Sequence, residues 1–188
     1  MDRPLMVLDT ESIGLHGPTF AYGYAVVEGH LYGRLLAKGF KYLDPKTLAG
    51  TPENHKWVEE NCPWAFGKTP DPDPAENLGA CRVGSPRELR DAFWQDYFFW
   101  RQQGALLAAD CPWPVEANFL SACIADDPKL REWLGPYPML DITTALFLKY
   151  HEVRNYERLD TETPAHHPLA DALQSARLFL EVLPRGRA

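Results

Sequence analysis

Leu5-Met6-Val7-Leu8-Asp9-Thr10-Glu11-Ser12-Ile13-Gly14 is an apolar run that ends in two carboxylates with one residue between them. Apolar residues without alternation, bounded by Pro4 and Gly14, predict a central strand covered on both faces. Side chains of a strand alternate with period two, so Asp9 and Glu11 point the same way. Two carboxylates that close repel and raise one another's pKa unless a cation lies between them, and hard divalent ions such as Mg2+ or Mn2+ favour such oxygen ligands. The plainer reading is a strand end carrying two solvated acids. Further ligands elsewhere in the chain must decide between the two.

Downstream, Phe20 to Val27 is rich in aromatic and β-branched residues at strand spacing, and Gly29-His30 reverses the chain into Leu31 to Phe40, which predicts an antiparallel meander of the first three strands. From Asp44 to Val83 the composition turns to prolines, glycines and charges, with a short helix expected near Pro52 to Asn61. Such a stretch predicts an irregular Pro-rich insertion or lid within a single domain spanning 1–188. Its Trp57, Trp64 and Phe66 can either stack on nucleobases or pin the loop to the body. Ser85-Pro86-Arg87-Glu88 carries helix-start signals, and Leu89, Ala92, Phe93, Tyr97 and Trp100 follow at helical spacing up to Gly104. Ala105 to Asp110 is a second apolar run closing on an acid, followed by a helical pattern from Val115 to Ile124. Met139 to Leu148 gives a short strand running into a helix, and Leu169, Ala172, Leu173, Ala176, Leu180 and Leu183 mark one face of a last helix opened by Pro168. Strands alternating with helices in this way predict a layered α/β domain.

The bulk numbers suit such a domain. With 188 residues, 45% hydrophobic and 24% charged, the chain can bury roughly 70% of its unfolded surface without covalent staples. Cys62, Cys81, Cys111 and Cys123 form no C-x-x-C pair, so neither structural zinc nor a disulfide framework is expected. No apolar run approaches the ~20 residues of a membrane span, and Met1-Asp2-Arg3-Pro4 leads straight into a strand rather than a signal peptide. The expectation is a cytoplasmic protein without membrane partners. A net charge of -7 argues against coating long nucleic acid through a broad basic face. It leaves room for an enzyme whose metals carry the positive charge.

The end of the chain reads His166-His167-Pro168-Leu169-Ala170-Asp171, with an imidazole five positions before a carboxylate at the entry to the last helix. Taken with Asp9-x-Glu11 and an acid near the start of the mid-chain helix, this resembles the DEDDh superfamily of 3'-5' exonucleases, a match running in order from Asp9 to about Leu183. The resemblance implies a ribonuclease-H-like three-layer αβα fold with a mixed sheet, meander first and parallel strands after, and helices on both faces. It implies two divalent ions, Mg2+ or Mn2+, held by Asp9, Glu11, the middle acid and Asp171, with His166 as general base on the attacking water and nucleoside 5'-monophosphates as products. His167 is the rival base, but the five-residue spacing selects His166. The middle motif departs from the family, since Val115-Glu116-Ala117-Asn118-Phe119 carries Glu where Asp is usual. Asp110 is the rival ligand, and Glu116 also fits an ordinary helix-start acid. Thr10, between the two acids, is expected to offer its backbone to substrate, and Asp141 to cap the helix after it.

Other readings stay in view. A strand ending in Asp9 also resembles phosphatases of the haloacid dehalogenase type, but Glu11 and Gly14 break their Asp-x-Asp-x-Thr/Val frame. The unusual middle motif also suits an exonuclease fold retired to a binding module for nucleic-acid ends or a protein partner. The expected partner is nucleic acid with single-stranded or short 3' ends. Pairing as a homodimer and the choice between DNA and RNA are left open by spacing rules.

Overall fold

A computed structural model describes residues 3–30, 32–67, 81–151 and 156–183. Six strands form one sheet: β1 (Leu5–Ser12), β2 (Thr19–Val27), β3 (Leu35–Tyr42), β4 (Cys81–Arg82), β5 (Leu106–Ala109) and β6 (Met139–Asp141). Their spatial order is β4-β3-β2-β1-β5-β6. β1, β2 and β3 are antiparallel neighbours, whereas β5 lies parallel to β1 and β6 parallel to β5. The expected meander followed by parallel strands is therefore present. β4, parallel to β3, is an addition that two residues in a proline-rich stretch did not announce.

The helices are α1 (Pro52–Asn61), α2 (Pro86–Gln102), α3 (Val115–Asp126), α4 (Pro128–Arg131), α5 (Ile142–Tyr150) and α6 (Pro168–Val182). Strand parity sorts them onto two faces. Leu5 and Val7 pack with Ala172, Ala176, Ile142 and Leu146 of α6 and α5. On the other face Tyr22, fully buried, meets Phe93 of α2 and Phe119 of α3 at ring distances of 5.4 and 6.1 Å. Each such ring, removed from water, contributes on the order of 1.5–3 kcal/mol. Asp9 and Glu11 follow the parity of Leu5 and Val7 and so face α6.

Two local features position the edge that matters. β1 leads into β5 in register, Leu8 beside Ala109, and Ala109 stands beside Asp141 of β6. Asp9, Asp110 and Asp141 therefore mark one edge of the sheet, outside the carboxyl ends of the parallel strands, where open α/β sheets place their sites. Across β1, Asp9 pairs with Gly23, and a Cβ on Gly23 would lie 2.3 Å from Leu169 N and Pro168 C. That missing side chain lets the first turn of α6 rest directly on the sheet.

β3 begins at Leu35, later than expected. Before it Glu28 N–H donates to the Arg34 carbonyl at 3.0 Å and the Arg34 guanidinium to the Glu28 carboxylate at 2.7 Å, which brings the two ends of a turn together. Of the expected lid, residues 68–80 lie outside the described residues. Before them stands the short helix expected near Pro52 to Asn61. α1, capped by Thr51 Oγ1 accepting from Asn54 N–H, runs into a 3-10 turn, Pro63–Phe66, and Val58, Cys62 and Trp64 are buried. No helix among the described residues is long and apolar enough to cross a membrane.

Candidate active site

The acidic edge is assembled from three directions. β1 supplies Asp9 and Glu11, with Asp9 pointing into a site where its charge is opposed first by burial and then by Asp171, Glu11, Glu116 and Asp110. These push its pKa well above the ordinary value. α6 supplies Asp171 in its first turn, where burial raises the pKa to about 6 against the opposing pull of Arg158. Arg158 Nη1 stands 2.5 Å from Asp171 Oδ1. The third direction is the opposite face of the sheet. Glu116, in the first turn of α3, is buried, and its Oε1 accepts from both Thr10 N–H and Thr10 Oγ1, each at 3.1 Å. Burial lifts its pKa to about 7 in spite of those bonds.

Thr10 meets Glu116 through both its backbone and its side chain. Its N–H is taken by Glu116, and its hydroxyl, facing α3 by strand parity, is taken as well. Alternation put Thr10 on the far side from the acids of its own strand, and the long glutamate reaches across to meet it. Asp110 is exposed and accepts from Thr143 Oγ1 at the rim. Asp141 caps α5, accepting from Thr144 N–H at 3.1 Å and Thr144 Oγ1 at 2.7 Å.

His166 and His167 are separated by environment. His166 has a φ of 58°, and its half-exposed ring places Nδ1 3.7 Å from Glu11 Oε1. That carboxylate holds the imidazole pKa above its ordinary value, against partial burial. His167 is 1% exposed and packs between Phe40 and Trp64 at ring distances of 4.6 and 5.0 Å. Trp64 also fixes its neighbour, because its indole N–H donates to the His166 carbonyl at 2.8 Å. Of the aromatics expected either to stack or to pin, Trp64 pins. Trp57 is 43% exposed and meets the His166 ring edge-on at 5.0 Å. On the other rim Trp113 is 70% exposed and faces His16.

The donor set fits a hard divalent cation. Glu11, His166 and Asp171 each offer a ligand atom, all within 4.8 Å of one another. Asp9 Oδ2 is buried with no hydrogen-bond donor among the described residues, and a buried carboxylate oxygen without a partner is costly unless a cation takes it. Glu116 keeps Oε2 outside the Thr10 bonds. Sequence reasoning missed Arg158, whose only signal was a basic residue upstream of the His-x-x-x-x-Asp motif, and Trp64 as the anchor of His166.

No family model matches the chain, and no curated protein matches it in sequence. Among solved structures it is similar to an exonuclease I from Methylocaldum szegediense, described as moderately thermophilic, with a TM-score of 0.62 and 17% identity over 95% of this chain and 40% of that one. A product-bound exonuclease I gives a TM-score of 0.58 at 10% identity, covering 95% of this chain and 43% of that chain. An exonuclease I in an SSB/exonuclease I structure with an inhibitor gives 0.56 at 9% identity, covering 95% and 41%. The chain thus spans about two fifths of the length of these exonucleases. At such identities the likeness is one of fold, and the fold is the ribonuclease-H-like α/β architecture.

Proposed function

We propose that this chain is a metal-dependent 3'-5' exonuclease that hydrolyses phosphodiester bonds from the 3' end of DNA or RNA and releases nucleoside 5'-monophosphates. The observation that carries this reading is the convergence of Glu11, His166 and Asp171, far apart in the chain, within 4.8 Å, beside the partnerless Asp9 Oδ2. Asp9, Glu11, Glu116 and Asp171 would hold Mg2+ or Mn2+, with Asp110 the less suited acid because it is exposed and tied to Thr143. A divalent cation bound there supplies charge neutralisation at the phosphate and an acidified water. His166, neutral, accepts the proton of the attacking water at an imidazole nitrogen. Trp64 holds the His166 backbone in its left-handed conformation, and Thr10 keeps the Glu116 carboxylate aimed at the cluster. Trp57 and Trp113 on the rims offer faces for unpaired bases, in keeping with single-stranded or short ends.

A second reading is favoured by one observation. A guanidinium already rests on Asp171, as it would in a fold that has stopped using metal and only binds ends. Mn2+-dependent hydrolysis of the p-nitrophenyl ester of thymidine 5'-monophosphate decides between them, followed by digestion of a 5'-labelled single strand to score direction. Wild type is expected to turn over and shorten the labelled strand stepwise, and Asp171→Ala to lose at least about a hundredfold in rate with its fold intact. Undiminished turnover in Asp171→Ala would falsify the assignment.

A further inference from the structure

Arg158 is held in place by a bracket that the proposed chemistry does not use. Its Nη1 contacts Asp171 Oδ1 at 2.5 Å, with both side chains largely buried, and also donates to the Glu162 carbonyl at 2.8 Å. The main chain on either side is fixed. The Glu157 carbonyl accepts from Arg177 Nη2 at 3.0 Å, and Leu159 N–H donates to Glu162 Oε2 at 3.0 Å. Glu162 is itself 2% exposed and takes two bonds from Arg177, at 2.6 and 2.9 Å. Arg177 stands on α6, the helix that carries Asp171. The Glu162–Arg177 pair therefore clamps the segment around Arg158 to the helix that presents its target. A guanidinium on that oxygen and a divalent cation on the same carboxylate repel one another and compete for it.

We infer that Arg158 is a phosphate-positioning residue that exchanges partners, seated on Asp171 in the metal-free protein and turned to the non-bridging oxygens of the terminal substrate phosphate once a cation takes Asp171. The inference rests on the function proposed above. A planar guanidinium fork matches two phosphate oxygens as it matches a carboxylate. The pocket is ringed by acids that repel an anionic substrate, so a clamped cation beside the cluster supplies attraction where it is needed. The bracket limits the swing to the side chain, because the flanking backbone stays on Arg177 and Glu162.

The test compares wild type, Arg158→Ala and Arg158→Lys, each checked for folding by thermal melting. Mn2+ affinity is read from the electron paramagnetic resonance of free Mn2+ without substrate, and affinity for thymidine 5'-monophosphate by calorimetry at saturating Mn2+. Arg158→Ala is expected to bind Mn2+ about tenfold tighter, because a neighbouring cation is gone, and the nucleotide about tenfold weaker, because a charge-assisted bond is lost. Arg158→Lys is expected to keep the wild-type Mn2+ affinity within about threefold yet bind nucleotide less well, lacking the fork. A structural arginine would weaken both affinities together, so the opposite movement is the signature. Unchanged or weaker Mn2+ binding in Arg158→Ala overturns the inference alone, as does nucleotide binding equal to wild type in both variants. Absence of Mn2+ binding in wild type and variants alike overturns the proposed function and the inference with it.

Discussion

At the scale of single residues, the site stores repulsion that a cation would relieve. Burial lifts Asp171 to about 6 and Glu116 to about 7, and raises Asp9 as well. A carboxylate whose folded pKa lies above its unfolded value binds protons more tightly in the native state, so it stabilises at low pH and that stability is lost as pH rises through the folded value. His166, also raised, adds a loss of the same sign. Carboxylates held low, such as Glu28, brought to about 2 by its hydrogen bonds from Arg34, have finished titrating by pH 5. Between pH 5 and 8 the site therefore dominates, and the metal-free protein is expected to lose on the order of 2–5 kcal/mol, a fall in Tm of roughly 4–20 °C. Differential scanning fluorimetry across that range checks it, with saturating Mn2+ expected to flatten the fall and Glu116→Gln to shrink it. A metal-free Tm that climbs from pH 5 to 8 would contradict the burial argument. Part of this was legible beforehand: the Asp9–Glu11 parity follows from strand geometry alone, and Asp141 sits where a helix cap is wanted. What Thr10 and Arg158 do was not, because each acts on a partner chosen by the fold. Thr10 and Glu116 are 106 positions apart.

At the scale of elements, two packing decisions hold the pocket together. The first is the seating of α6 on β2 at Gly23. Adding a methyl there would meet Leu169 N and Pro168 C at 2.3 Å, both backbone atoms that cannot rotate away. Gly23→Ala is therefore expected to lift the first turn of α6, carrying Asp171 and the preceding His166 away from Asp9 and Glu11. Overpacking of this kind costs about 1–3 kcal/mol, or roughly 2–12 °C in Tm for a chain of this size. The more telling result is Mn2+ affinity, expected to fall at least about tenfold while far-ultraviolet circular dichroism stays native. Wild-type Mn2+ affinity in a folded Gly23→Ala protein would show that the seating is not what aligns the site. The second decision is the packing of α1 and its following turn against the start of α6. The short helix near Pro52 to Asn61 was readable in the sequence, whereas composition suggested an irregular insertion or lid around it. Composition counts prolines but not destinations. Trp64 is buried at 6% because Phe40, Tyr42 and His167 wait for it across the fold, and its bond to His166 spans 102 positions.

At the scale of the whole molecule, charge decides what kind of polymer the site can meet. The chain carries -7 overall, and many of its arginines are already matched: Arg90 and Arg131 with Asp126 and Asp91, Arg177 with Glu162 and Glu181, Arg34 with Glu28, Arg82 with Asp44. An ion-paired arginine is a poor phosphate ligand unless it gives up its partner, which is the exchange inferred for Arg158. A basic track along the backbone of a long strand is thus not what the described residues provide. Recognition should concentrate on the terminal phosphate and the one or two bases that Trp57 and Trp113 can reach. For single strands each phosphate contact contributes a slope of about -0.7 to log affinity against log salt. A site with one or two contacts should therefore show a slope of roughly -0.7 to -1.4, where a six-contact groove would show about -4. Initial rates with a dinucleotide and a twenty-residue single strand, measured from low to high salt at saturating Mn2+, read both quantities. KM is expected to differ by less than about threefold between the two lengths, with the shallow slope in each. A steep slope that appears only with the longer strand would mean that residues beyond this acidic edge grip the backbone.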